Sequence, residues 1–496
     1  MAATDLSGTH AIPAALLPVR RLQAPAIPLP LCLLGGGLLV GAGAALGPMP
    51  GVAALCAVAV GLIVLSRPAV GALALVAVVP AVSGLARGFP IPGFRLSEVA
   101  IAGLASLILL TADREHRAPW QAFDWLALSY VTGTALLGVL DMLRRGDDFT
   151  PINVGTLLGP LQFFLLYRAV RTALPYPEQR RQGLRLLLLA SVPISVIALL
   201  QQRDVWNTRA LLATVTDADF SNYYSFELLN RATGPFPHWH ALGGYLFVVI
   251  LLALGLLLEG TGRVMGRRSL VVVLALALLA LMETVTIAPI LGVAAGALLL
   301  GYWLRRLRRV ALFVLASLAV LFLLFAPIFE SRYVLQFQPN VAGGGNPFVP
   351  ETLAYRYDVW TQQYLPALSG RWIAGYGPEL PPDIHWRYTE SMYITLLLRG
   401  GLLLLAVYGG LMLALALAAR RLTDDSDPDR RAVARVVFAI VILLVPLHFV
   451  MPYFINVGLP HLLWGLAGLL MADVVRRVPD NALSEARLTA TRHSRG

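Results

Sequence analysis

The stretch RATGPFPHWHALGGYLFVVILLALGLLL, residues 231–258, joins a polar aromatic cluster to a long apolar run. Residues 241–258 carry no charge and approach the roughly 20 residues that an α-helix needs to cross a bilayer. The run therefore predicts a membrane-spanning helix. The residues ahead of it, from Arg231 to His240, place charged and aromatic side chains at the entrance to that helix.

The composition predicts a membrane protein with many spans. Of the 496 residues, 57% are hydrophobic and only 14% are charged, and the mean hydropathy is +0.71, which soluble globular proteins do not reach. The net charge of +11 comes from arginine alone, since the chain has no lysine, so it indicates topology and we expect no nucleic-acid partner. Cys32 and Cys56 lie in apolar segments, which leaves no disulfide framework and no CxxC metal site.

Apolar runs recur along almost the whole chain. They predict an all-α polytopic integral membrane protein with about 12–14 transmembrane helices and a large extracytoplasmic loop that contains short helices. Residues 27–475 are expected to form a single transmembrane domain between a cytoplasmic tail at 1–26 and another at 476–496. The predicted spans are 28–47, 51–66, 68–86, 96–111, 125–141, 157–170, 184–200, 241–258, 269–286, 288–304, 310–329, 391–419, 432–450 and 459–475.

The distribution of arginine predicts the orientation. Under the proposed spans, most arginine-rich connections fall on one side, which the positive-inside rule assigns to the cytoplasm together with both termini. The segment RRGDD, residues 144–148, falls on the opposite side, where its acids offset its arginines. The two long connections, 201–240 and 330–390, are therefore predicted to lie outside the cytoplasmic membrane. The arginine-rich connections are 114–117, 179–185, 262–268, 305–309, 419–435 and 474–477.

The first long loop ends in a candidate ligand site. The guanidinium of Arg231 matches the geometry of phosphate oxygens, and the alternative is an arginine that reaches toward lipid head groups. His238 and His240 are candidate substrate contacts, whereas Trp239 and Tyr245 alone would be typical of an aromatic belt. Two histidines at i and i+2 without a Cys or an acid pair disfavour zinc.

The second long loop supplies further candidates. Residues 350–368 predict an amphipathic helix at the membrane surface, on which Arg356 contacts either a phosphate or the neighbouring Trp360. That helix is expected to present one face formed by Leu353, Arg356, Tyr357, Trp360 and Tyr364.

Glycine and proline end the helix before GRWIAGYGPELPP, residues 370–382, which contains the candidate ligand contacts Arg371 and Tyr376. Glu390 opens the next apolar run, where a carboxylate either caps the helix or acts as a general base. His385 is the alternative base, because an imidazole needs no perturbation to act near neutral pH.

The order of these motifs resembles the O-antigen ligase and O-antigen polymerase superfamily. The resemblance covers about residues 225–475 and rests on RATGPFPHWHALGGYL, RYDVW, the GYG turn, TESMYITLLLRGGLL and HLLWGLAGLLMA. It implies an integral membrane glycosyltransferase of the GT-C-like kind, which takes glycans from a polyprenyl diphosphate carrier at the outer leaflet without a metal, cofactor or nucleotide sugar. It also implies inversion at the anomeric carbon and proteins such as a flippase and a chain-length regulator as partners, besides membrane lipids.

Several positions depart from the family pattern. His240 replaces an asparagine, Glu390 and Ser391 replace a His-Asn pair, and Ile287 stands where many members carry an arginine. These departures favour a polymerase whose base is a carboxylate, for cell-surface or exopolysaccharide synthesis. The alternatives are ligase-type transfer of the glycan to a final acceptor and a transporter or flippase of lipid-linked glycans, which would be expected to show broken helices and inverted repeats.

Overall fold

The computed structural model describes residues 48–88, 94–112, 119–216, 218, 231–260, 262–327, 329–330, 350–378, 380, 389–455 and 457–472. Within these ranges the secondary structure is helical, and the only strand-like pairing there is an isolated bridge between Leu85 and Thr216. Both tails and the predicted span 28–47 lie outside the described residues.

The helices are numbered in chain order. Besides the α-helices, the described residues include a 3₁₀ turn at Val205–Asn207, a π-helical turn at Trp360–Tyr364 and a helical turn at Leu365–Ala367. The helices are α1 Pro48–Ser66, α2 Pro68–Val82, α3 Leu96–Thr111, α4 Ala122–Arg145, α5 Pro151–Ala173, α6 Pro177–Gln202, α7 Thr208–Val215, α8 Trp239–Glu259, α9 Arg267–Glu283, α10 Ile287–Trp303, α11 Leu307–Leu324, α12 Glu351–Val359, α13 Met392–Arg421, α14 Pro428–Leu447 and α15 Leu459–Met471.

The helices support the predicted class of all-α membrane protein. Five described helices, α4, α6, α8, α11 and α13, are long and apolar enough to cross a membrane. A helix also occupies every predicted span from 51–66 onward, while the number of spans remains a prediction. The predicted span 269–286 ends earlier, at Glu283, because Val285 has a positive φ of 49° that an α-helix cannot accommodate.

The packing divides the chain into two units, Met1–Val60 and Gly61–Gly496. In the first unit the described residues form the beginning of α1. In the second unit α8 is the central helix, since it packs against α6, α9, α10, α14 and α15. Its side chains from Ala241 to Leu256 are all buried, as expected for a helix that is apolar around its whole circumference.

One end of the second unit is held together by arginine ion pairs. We call it the arginine-rich end, and it comprises the starts of α4, α6 and α14 and the ends of α5, α8 and α15. Asp124 is fully buried there and accepts from two arginines, so its charge is paired on both oxygens. The ion pairs are Arg168 and Arg171 with Asp124, Arg181 with Asp429, and Arg431 and Arg435 with Glu259. These contacts join connections that the arginine pattern assigns to one side of the membrane.

The opposite end of these helices joins the described parts of the two long loops, and we call it the loop end. The RRGDD segment belongs to it. Asp141 pairs with Arg371 of the second loop and lies 2.9 Å, Oδ2 to Nε, from Arg145. Arg145 also donates to the carbonyl of Tyr376, with an N–O distance of 3.0 Å. One of the two arginines that weaken the predicted charge bias, Arg145, is therefore engaged by the second loop, whereas Arg144 is exposed.

Helix α13 is broken at Gly400 and Gly401, and a loop fills the break. Gly401 has φ 62° and ψ −159°, a conformation that is essentially limited to glycine. The amides of Tyr376 and Gly377 donate to the carbonyls of Leu398 and Arg399 on one side of the break, at 2.5 and 3.1 Å. On the other side, the amides of Leu402 and Leu403 donate to the carbonyls of Trp372 and Ile373, at 2.7 and 3.3 Å. Inside a membrane such freed backbone groups must find protein partners, and here the loop provides them.

We predict that Gly401→Ala destabilises the protein. A Cβ at this position would lie 2.3 Å from the carbonyl of Ile373, and the backbone conformation alone costs an alanine about 1–3 kcal/mol. The matched control is Gly409→Ala on the same helix, where an added Cβ meets no atom within 4 Å. The apparent melting temperature of the purified protein in detergent should fall clearly for Gly401→Ala and stay level or rise for Gly409→Ala. Equal melting temperatures for the two variants would contradict the capped break.

Candidate functional site

Arg231 is buried and joins the entrance of α8 to the turn that follows α9. Only 4% of its surface is exposed. Its Nε donates to the carbonyl of Thr284 at 3.0 Å, one Nη donates to the carbonyl of Val285 at 3.1 Å, and its guanidinium carbon lies 4.1 Å from the centre of the Trp239 ring. The side chain is thus held by two carbonyls and an aromatic face, which fixes its charge at the loop end.

The two histidines stack at the start of α8. His238 precedes the helix, and its Nδ1 accepts from the backbone amide of His240 at 3.2 Å. The two imidazole rings lie 4.9 Å apart and nearly parallel. Burial, with a further contribution from the Arg231 guanidinium, lowers the pKa of His238 to about 3. His238 is therefore neutral at neutral pH and caps the helix as a hydrogen-bond acceptor.

Arg356 and Glu390 form an ion pair across the second loop. One Nη of Arg356 lies 2.5 Å from Oε2 of Glu390, whose side chain remains 29% exposed. We call α12 and the π-helical turn that follows it the surface helix. The indole of Trp360 donates to the carbonyl of Thr389 at 3.1 Å, which fixes this helix to the residue ahead of Glu390. Glu390 has a positive φ of 48°, a strained conformation for a non-glycine residue that is more frequent at functional sites.

Tyr453 brings the two loops together. It lies in the connection between α14 and α15, is almost fully buried, and has its ring 6.4 Å from that of His240. Burial raises the pKa of Tyr453, and the guanidiniums of Arg356 and Arg231 both lie near enough to lower it. Its hydroxyl makes no hydrogen bond with the described residues. Predicted residues of both loops, His240, Arg231 and Arg356, therefore lie near a phenol whose hydroxyl has no partner among the described residues.

Arg371 and Tyr376 of the second loop form a separate cluster, which contacts Asp141 and Arg145 of α4. Arg371 pairs with Asp141, and its guanidinium carbon lies 5.1 Å from the centre of the Tyr376 ring. The hydroxyl of Tyr376 donates to the carbonyl of Ala367, so the GYG turn is tied back to the end of the surface helix. These two residues hold the loop against α4. His385 lies outside the described residues.

The predicted face of the surface helix differs from the observed one. Tyr364 is fully buried, whereas Tyr357 and Leu353 are exposed. The inward face instead runs through Arg356, Val359, Trp360 and Tyr364, and a π-helical turn occupies Trp360–Tyr364. Arg356 and Trp360 nevertheless both reach the residues at the start of α13.

Gln201 and Tyr453 contribute to the site and were missed by the sequence analysis. The side-chain oxygen of Gln201 accepts from the amides of Thr233 and Gly234, at 2.9 and 2.7 Å, and so shapes the turn after Arg231. The available signal in the sequence was a glutamine directly after the predicted span 184–200. Tyr453 has a weaker signal, since its neighbours in MPYFINVGLP resemble an ordinary connection between spans.

Among the described residues, no group of three or more His, Cys, Asp or Glu side chains lies close enough to hold a metal ion. A scan against protein-family models finds no match, and a search of the curated proteins finds no match either. The resemblance to the O-antigen ligase and polymerase superfamily therefore rests on the order and spacing of the motifs quoted above.

Proposed function

We propose that this protein is a metal-independent membrane glycosyltransferase that polymerises glycan units carried on polyprenyl diphosphate. The supporting observation is the Arg356–Glu390 pair, in which a partly exposed carboxylate at the loop end is held by an arginine that lies near Tyr453. The resemblance of the motif order to the O-antigen ligase and polymerase superfamily gives the reaction type. Ligase-type transfer to a final acceptor uses the same chemistry and differs only in the hydroxyl that attacks.

In this proposal the reaction is a single displacement. An acceptor hydroxyl attacks the anomeric carbon of the donor glycan and forms the new carbon–oxygen bond. The bond from that carbon to the diphosphate oxygen breaks, and polyprenyl diphosphate leaves with the electron pair, so the configuration inverts. Glu390 accepts the hydroxyl proton, since Oε2 is held by Arg356 and the exposed part of the carboxylate can meet the acceptor. Trp360 and Tyr376 are the proposed sugar contacts.

One alternative has its own supporting observation. Discontinuous helices are frequent in transporters, where unwound backbone lines the substrate path, and α13 is broken at Gly400 and Gly401. A transporter of lipid-linked glycans would use this break to move its cargo. In the present chain, however, the backbone groups freed at the break are bonded to the loop at 372–377.

We place the protein in the cytoplasmic membrane with its termini inside and its loop end outside, where a flippase and a chain-length regulator are proposed partners. The topology can be tested in a chain in which Cys32 and Cys56 are replaced by serine. Gln362→Cys, at an exposed position of the second loop, should react with an impermeant thiol reagent in intact cells that lack an outer barrier. Ser269→Cys, in the exposed first turn of α9, should react only after permeabilisation. The reverse pattern would contradict the orientation.

The role of Glu390 predicts a separation of turnover from binding. Glu390→Gln keeps the shape of the side chain and loses its basicity, so turnover should fall by about 100-fold or more while the lipid-linked donor still binds. Asp358→Asn is the matched control, because Asp358 is an exposed carboxylate on the same surface helix. Polymer formation and donor binding by the purified variants provide the measurement. Near wild-type polymerisation by Glu390→Gln, beside an inactive His385→Ala, would instead assign the base to His385.

A further inference from the structure

A second polar region lies inside the second unit, next to the loop end. It is a cavity of about 160 Å³ between α3, α4, α5, α13 and the start of α15. By the same measure one water needs about 10–15 Å³, so the cavity has room for a group of several heavy atoms. Its polar lining includes Ser97, Glu98, Gln162, Thr395, Arg399 and His461.

The cavity has an excess of positive charge. Arg87 and Arg95 line it together with Arg399, and Glu98 is the one acid among the described residues of the lining. Arg87 pairs with Glu98 through two contacts of 2.5 and 3.1 Å, which satisfies that carboxylate. Among the described residues of the lining, three arginines therefore stand against one glutamate. Such a lining favours an anion.

Arg399 is the residue of this lining whose charge is least satisfied. Its carbonyl accepts from Gly377, but its guanidinium makes no hydrogen bond or ion pair with any described residue. One further side chain of the lining, that of Ser97, is 1% exposed, and its Oγ has no hydrogen-bond partner among the described residues. Unsatisfied polar groups that converge on one cavity in the interior of a protein indicate a ligand.

The cavity lies next to residues that adjoin the proposed catalytic ones. Thr395 lines it, and the hydroxyl of Thr395 contacts that of Thr389, which directly precedes Glu390. Phe454, the neighbour of Tyr453, forms another part of the lining. A ligand group held at Arg399 would therefore lie about two turns of α13, roughly 10 Å along the helix axis, from the start of the helix beside Glu390.

The geometry points to this cavity as the binding site for the diphosphate group of the lipid-linked donor, with Arg399 as its main ionic contact. This inference rests on the proposed function. The arginines first expected to bind the diphosphate already have other partners, namely carbonyls for Arg231, Glu390 for Arg356 and Asp141 for Arg371. A guanidinium matches phosphate oxygens in two parallel hydrogen bonds, and it would stabilise the charge that the diphosphate gains when the glycosidic bond breaks.

The test is a binding measurement on the purified full chain with radiolabelled undecaprenyl diphosphate that carries no glycan. Arg399→Gln should weaken binding by at least about 30-fold. The affinity of Arg399→Lys should lie between those of Arg399→Gln and the wild type, because lysine keeps the positive charge but lacks the planar, two-pronged donor group of arginine. The control is Arg144→Gln, which removes an exposed arginine at the same end of the molecule and should bind as the wild type does. Excess phosphatidylglycerol should not displace the label.

A second variant guards against misfolding of Arg399→Gln. Ser97→Ala removes a buried hydroxyl that has no partner among the described residues, so the apparent melting temperature should stay level or rise while affinity for the probe falls. A fall in affinity without a loss of stability supports the site.

Three outcomes would overturn the inference. Equal binding by Arg399→Gln and the wild type would remove the diphosphate from this cavity and leave the proposed function intact. Displacement by phosphatidylglycerol would assign the cavity to a phospholipid head group, again without touching the proposed function. A wild-type chain that does not bind undecaprenyl diphosphate would overturn the proposed function together with the site.

Discussion

The hydrogen bonds that close the break in α13 are the constraint on which the rest of the loop end depends. A helix that crosses a membrane cannot leave backbone amides and carbonyls without partners, so the loop at 372–377 has to insert where Gly400 and Gly401 interrupt the helix. That insertion presents Arg371 to Asp141. It also separates a first segment of α13, which begins beside Glu390 and ends at Arg399, from the longer apolar segment that follows. The catalytic and anion-binding residues that we propose lie at the two ends of this first segment.

Much of the fold could be predicted from the sequence because hydropathy reports burial directly. The apolar run 241–258 became α8, the central helix, and each later predicted span contains a helix. The break in α13 could not be predicted, because two glycines in an apolar run leave hydropathy unchanged. The partners of Arg231 were equally inaccessible, since they are carbonyls that a positive φ at the β-branched Val285 helps to orient.

The sequence identified several arginines of the candidate site but could not show which of them are already paired. The sequence analysis weighed arginines beside helix ends, and Arg231, Arg356 and Arg371 do lie at the loop end. Each has its own partners, however, and such pairs depend on contacts between distant parts of the chain. Arg399 lies within an apolar run, and the general rule that an ionisable residue inside a span is functional would have selected it. The structure adds two observations that support this rule, namely the cavity beside Arg399 and the Ser97 hydroxyl in its lining that has no partner among the described residues.

The most direct test of the central claim is a transfer assay with the purified chain in detergent, where transport across a membrane cannot occur. The substrate is an undecaprenyl-diphosphate-linked oligosaccharide, and the products are separated by glycan length. The account predicts longer glycans and stoichiometric release of undecaprenyl diphosphate, without added metal or nucleotide sugar. An unchanged oligosaccharide in detergent, combined with movement of the same lipid across a reconstituted bilayer, would contradict the glycosyltransferase and favour a transporter.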